Sequence, residues 1–450
     1  MKTRVEYDLL GAVQVPAVAL YGAQTQRALE NFPLQLTTSS SPARTIGSFP
    51  SLVRALLLIK KSAACTNQDL GYLAAEKAQA IEQAADQLLA DSLASAFPIH
   101  YLHGGGGTSA NMNANEVLAN LGEELLGGQR GTYRLLHPND HVNLHQSTND
   151  VYPTACHMAV IEAWPGLKSE LAALAGAFDD PNRPPAPHLA RTCFQDAVDM
   201  RFSDYTSGIA AQLRRLTAQL DEAIERLYVV NLGGTICGRA QDVPADYLKL
   251  IVPTLARVTG DPGYVQAENL FDGAQNPDAL VAVSAALERL ARSLIKIAKD
   301  LRVLASGPEA GFNELLLPAV QPGSSIMPGK VNPVMPEFVV QVCFRVIGNH
   351  AMCAAGLDHG ELDLNVWESS MTFAILESFE LLQCALRAFE EKCVRGMLVQ
   401  CETGQAHSDT IIPRLTRLTH QYGYSRVNAV CKELRGDLRA LKQRLDEVFD

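Results

Sequence analysis

ALVAVSAALERLARSLIKIAKDLRVL, residues 279–304, places Leu280, Val283, Leu287, Leu290, Leu294, Ile297, Leu301 and Leu304 at alternating spacings of three and four. A period near 3.5 belongs to helices that lie nearly parallel and share an apolar seam along their whole length. At roughly 1.5 Å per residue this helix would be about 39 Å long, more than a typical globular helix. The same spacing recurs at Ile209, Leu213, Leu216, Leu220, Ala223, Leu227 and Val230, and at Ile375, Phe379, Leu382, Leu386, Phe389 and Cys393. A fourth series, Val160, Trp164, Leu167, Leu171, Leu174 and Phe178, is interrupted by Pro165, which should kink the helix or mark a second start. A fifth helix is predicted from Pro336 through Phe338, Val342 and Val346 towards Met352. No series of alternating runs separated by hairpin turns is evident, so the fold expected is mainly α, built round a central bundle of five long helices. Cuts near 140 and 395 give three helical domains, 1–140, 141–395 and 396–450.

The chain has 450 residues, of which 47% are hydrophobic and 19% charged, so it can bury a large core and is not wholly disordered. Its 38 Lys and Arg against 49 Asp and Glu leave a formal charge of -11, which disfavours nucleic acid and anionic membranes as partners. The opening residues Met1 to Asp8 are charged and lead into no apolar block of signal-peptide type. Nor does any stretch reach the roughly 18 uninterrupted apolar residues of a membrane helix. Ten cysteines without a CxxC pair read as reduced, mostly buried thiols of a cytoplasmic protein. The eleven histidines show no metal-ligand spacing, and Gly104–Gly107 are not followed by the Lys-Ser or Lys-Thr of a phosphate loop. Neither a metal nor a cofactor is expected.

Function is expected in the polar, glycine-rich loops between the helices. The most informative runs from Gly323 through Ser324, Ser325, Ile326, Met327, Pro328, Gly329, Lys330 and Val331 to Asn332 and Pro333. Lys330 offers a compact positive charge and Asn332 amide donors, a pair suited to a carboxylate. A serine beside them could take a proton next to that carboxylate if its own proton can leave. The plain alternative is a polar loop capping a helix.

Residue for residue, this run resembles the signature of the aspartase/fumarase superfamily. Other segments agree in the same order: Gly107-Thr108-Ser109-Ala110-Asn111-Met112-Asn113, His137-Pro138-Asn139-Asp140 with Gln146-Ser147-Thr148-Asn149-Asp150, and Arg191-Thr192 with Gln195-Asp196-Ala197. The asparagine-rich first segment and the Pro336-Glu337 pair are similar to the aspartase and class II fumarase branch, the latter feature closer to aspartases. The resemblance implies a β-elimination in which a base takes the proton from the carbon beside a carboxylate. An aci-carboxylate dianion forms, and the group on the next carbon leaves. It implies Ser324 as base, helped by Lys330 and loop amides, with Lys330 and Asn332 gripping carboxylate. Thr108, Ser147, Thr148, Asn149, Thr192, Cys193 and Ser325 are implied to line the substrate, and Glu337 to stand behind them. It further implies a homotetramer whose central helices form a 20-helix core, with each active site assembled from three chains.

The pattern breaks at Cys193, where fumarases carry His, the residue that sits against a glutamate at the place of Glu337. Hydroxide is a poor leaving group and wants a proton, whereas an ammonium departs as a neutral amine without an acid. A thiol with its pKa near 8.5 is a weak acid and a poor donor, so the substitution favours amine release. Arg239 introduces a cation that could bind an extra anionic group or pair with a protein acid. Together with the acidic loop carrying Glu361 and Asp363, these departures leave several activities open. The leading expectation is an aspartase-type carbon–nitrogen lyase acting on L-aspartate or a related substrate. The alternatives are a fumarase-type hydro-lyase, an ergothionase-like lyase releasing trimethylamine, and a non-enzymatic crystallin-like role.

Overall fold

A computed structural model describes residues 2–32, 44–91, 94–433 and 436–449. Long helices dominate it: α1 (Pro50–Asp69), α2 (Thr108–Leu125), α3 (Thr148–Phe178), α4 (Phe202–Glu225), α5 (Asp278–Leu304), α6 (Val334–Asp358) and α7 (Glu368–Phe389). The chain divides into two compact units. One comprises Met1–Leu167, Ala218–Arg289 and Phe344–Leu381; the other comprises Lys168–Thr217, Leu290–Cys343 and Leu382–Asp450. The division falls inside each of α3 to α7, so each unit owns a segment of these five helices, whereas α1 and α2 belong wholly to the first.

The spacing that predicted α5 also explains its burial. Leu280, Val283, Leu287, Leu290, Leu294, Ile297 and Leu301 are each at most 1% exposed. Burying such a side chain completely contributes about 1.5–3 kcal/mol. In the first unit the seam is completed by the Trp164 and Phe379 rings, 6.1 Å apart, and by polar ties. Trp164 Nε1 donates to Asp221, Ser284 Oγ lies 2.7 Å from His350 Nδ1, and Asn349 Nδ2 donates to Ser378 Oγ. In the second unit Phe178 meets Phe389, Gln212 donates to Ser293, and Tyr205 donates to Asp300.

Several expectations change in detail. Pro165 does not start a second helix: α3 runs unbroken over 31 residues with Pro153 and Pro165 inside it. Buried Trp164, Leu167, Leu171 and Leu174 hold the helix across the missing N–H donor. Helix α4 ends at Glu225 rather than Val230, because Val229 and Val230 pair in parallel with Val265 and Gln266. Among the described residues there are four two-stranded ribbons, where alternation gave no series of strands. One is the hairpin of β1 (Pro187–Thr192) and β2 (Gln195–Arg201) in the second unit.

Of the ten free cysteines, five are buried and three are exposed, fewer buried than expected. Helix α6 is long and apolar enough to span a membrane by length and composition, a property the count of uninterrupted apolar residues missed. Along it Val339, Val342, Cys343 and Val346 are buried, whereas Phe338, Phe344 and Met352 remain 40%, 54% and 37% exposed.

Candidate active site

In the second unit, the signature loop folds back on itself just before α6. Gly323 N–H donates to Lys330 O at 2.8 Å, and Asn332 Nδ2 donates to Gly323 O at 2.9 Å. Gly323 is required by this closure, since a Cβ there would lie 2.7 Å from both Asn332 N and Lys330 O. Within the loop, Ser324 Oγ accepts hydrogen bonds from Ile326 N–H at 3.2 Å and Met327 N–H at 3.0 Å. Two donors aimed at one hydroxyl oxygen stabilise the alkoxide more than the alcohol, because hydrogen bonds to the charged form favour it. Lys330 is exposed and its side-chain ammonium has no hydrogen-bond or ion-pair partner among the described residues, so it can meet an incoming anion. Ser325 is exposed beside it. Asn332 spends one amide N–H on holding the loop shut.

Thr192 and Cys193 lie at the tip of the β1–β2 hairpin, where Thr192 pairs with Gln195. Cys193 and Phe194 form the two-residue turn, with φ of 53° and 60°. Both central positions of such a turn need positive φ, normally met by Asn or Gly, so this turn presents its side chains at a conformational cost. Behind it, Arg191 and His407 bind Glu314 Oε1, while His188 binds Glu314 Oε2 at 3.2 Å. Burial works against the Glu314 charge, yet these partners hold its pKa down at about 2. Glu337 is engaged by Arg302, whose Nη2 donates to its Oε1 at 3.0 Å. The hairpin and the 323–332 loop share no hydrogen bond among the described residues.

The remaining predicted donors belong to the first unit. Thr108 opens α2 after Gly107, whose φ of 89° and closeness to the Tyr152 ring leave no room for a side chain. One turn on, Asn111 Nδ2 donates to Thr148 Oγ1 at 3.1 Å. Ser147 Oγ accepts from Asn149 N–H, and Asn149 Nδ2 donates to Ile236 O at 2.7 Å. Thr108, Ser147, Thr148 and Asn149 thus gather around the starts of α2 and α3. Arg239 pairs with Asp242 at 3.0 Å, the protein-acid alternative.

The sequence reading missed the groups that fix this cluster. Lys60, 0% exposed, donates to Asn143 Oδ1 and Gln146 Oε1, both at 2.9 Å. Burial brings its pKa down to about 7, opposed by the attraction of Asp150. Asp150 is buried too, and desolvation pushes its carboxyl up despite bonds from the N–H groups of Ser147, Gly233 and Thr235. The signal available was a lysine directly after the apolar run Leu56–Ile59.

Comparison with known proteins finds relatives along the whole chain. The protein-family profile described as "Lyase" matches residues 11–348. The class II fumarate hydratase of Thermosynechococcus vestitus is 38% identical over 99% of this chain and 94% of its own length. The aspartate ammonia-lyase of Helicobacter pylori is likewise 38% identical, over 99% of this chain and 96% of its own. The crystal structure of fumarate lyase:delta crystallin from Brucella melitensis bound to cobalt has a TM-score of 0.93 at 39% identity, covering 100% of this chain and 96% of that one. A chain with this signature loop, these helices and relatives matched end to end belongs to the lyases of the aspartase/fumarase superfamily.

Proposed function

We propose that this lyase is of the aspartase type and eliminates ammonia or another amine from L-aspartate or a related amino acid, leaving a fumarate-like acid. Ser324, as alkoxide, takes the proton from the carbon beside the carboxylate that Lys330 and Asn332 hold. The electron pair moves onto that carboxylate as an aci-dianion, then returns to form the carbon–carbon double bond as the carbon–nitrogen bond breaks. The nitrogen leaves with that bonding pair as a neutral amine, and the abstracted proton remains on Ser324. The observation carrying this reading is the Ser324 hydroxyl held by two loop N–H groups in the same loop as unpaired Lys330. Release of amine rather than water is supported by Cys193 at the hairpin tip, a thiol in place of the imidazole that would protonate hydroxide. The fumarase reading stands second, because relatives of both names match equally well at 38%. Ultraviolet absorbance of the conjugated product, followed with L-aspartate, malate and a panel of betaines, separates these readings. Signal with malate alone would refute amine release.

The predicted donors divide between the two units, with Ser324, Lys330, Asn332 and Thr192 in one and Thr108, Ser147, Thr148 and Asn149 in the other. The reading is a cytoplasmic homotetramer whose sites each collect residues from three chains, built from domains 1–140, 141–395 and 396–450. The exposed apolar residues of α6 support burial by further copies. A separate cluster of Ile411, Leu418, Val427, Val430, Leu441, Leu445 and Phe449 supports the last domain. Mixing the Ser324→Ala and Thr148→Ala variants should restore activity that neither has alone, and no restoration would count against shared sites.

A further inference from the structure

A second cleft in the first unit, about 630 Å³, lies among α3, the segment following α4, the Leu270–Gln275 helix and the start of α7. Its lining includes Glu368, the first residue of α7, which is only 6% exposed. The Glu368 carboxyl has no hydrogen-bond donor and no ion-pair partner among the described residues, and burial alone pushes its pKa up to about 8. An isolated buried carboxylate is costly to maintain, and an apolar or amide side chain would relieve that cost. The lining also carries Glu268, Asp272 and Asp278, all exposed, against one arginine, Arg226. His157 lines it as well, with Nδ1 held by Leu227 O at 3.0 Å and its charged form disfavoured by burial. The cleft is therefore acidic, with its least solvated acid unpaired.

We propose that this cleft binds a small organic cation, a protonated primary amine whose ammonium group sits on Glu368 while its carbon chain lies along the cleft. A hard divalent ion is the poorer fit, because it needs several converging oxygen ligands, and no three His, Cys, Asp or Glu side chains converge on a metal position among the described residues. A quaternary ammonium is also the poorer fit, since it gains most from an aromatic cage and the lining has no Phe, Tyr or Trp. A primary ammonium brings its own N–H donors to a carboxylate that has none. The site uses neither Ser324 nor Lys330 and does not depend on the reading of the reaction given above.

Titration calorimetry of the full-length protein with n-butylammonium chloride, against sodium chloride at equal ionic strength, tests the proposal. Saturable binding is expected, weakened at least about tenfold in Glu368→Gln and unchanged in Asp363→Asn. Removal of the opposing charge in Arg226→Gln should tighten it, which gives an independent readout should Glu368→Gln fail to fold. Absence of saturable heat, equal affinity in Glu368→Gln, or unchanged or weaker binding in Arg226→Gln would each overturn it.

Discussion

Met327 donates its backbone N–H to Ser324 Oγ at 3.0 Å, so the loop that carries the proposed base also supplies a donor for its negative charge. A second donor comes from Ile326. Serine is a feeble base in water, and the physical question for this enzyme is how its alkoxide becomes accessible. On the proposed reading, two fixed N–H dipoles answer it, and Lys330 of the same loop adds a positive charge.

Closure of that loop rests on Gly323, whose missing side chain lets Asn332 N and Lys330 O approach. Gly323→Ala should push the two strands of the loop apart and lower kcat by about tenfold or more, since misplacement of about 1 Å can cost far more than it perturbs the fold. The melting temperature should move little because the loop is exposed. Steady-state kinetics beside a thermal melt check both parts.

If amine release needs no acid, Cys193 is dispensable for chemistry. Cys193→Ala should retain amine elimination within about tenfold of the parent, whereas loss of a general acid typically costs 10²–10⁴-fold. A fall of that larger size would assign the thiol a proton-transfer role.

Lys60 makes stability depend on pH in a definite direction. Its folded pKa, about 7, lies below its ordinary value of 10.5, so between these the unfolded chain binds the extra proton. Stability contributed through Lys60 therefore rises as pH increases from about 7 towards 10 and is level below 7. Urea unfolding of the parent and Lys60→Met across that range should show the difference moving in the parent's favour. A constant difference would place the Lys60 pKa near its ordinary value.

Helix α5 was legible because its seam repeats faithfully: the stretch read as 279–304 starts one residue earlier, at Asp278. The hairpin carrying Thr192 and Cys193 was not, because its turn lacks the Asn or Gly that advertises positive φ. The donors Thr108, Ser147, Thr148, Asn149, Ser324, Lys330 and Asn332 were named from motif alone. Lys60 and Glu368 escaped notice, and Asp150 was read only as part of a motif, because the sequence shows charge but not burial, and burial is what makes these groups unusual. Pro165 offered a kink or a second start, and packing along α3 overrides the second start.

The most direct test of the central claim is single-turnover kinetics and ligand binding of Ser324→Ala. This reading predicts that proton abstraction falls by about 10²–10⁴-fold while affinity for a dicarboxylate product analogue, held by Lys330 and Asn332, stays within about twofold. Elimination at near-parental rate in that variant would contradict it.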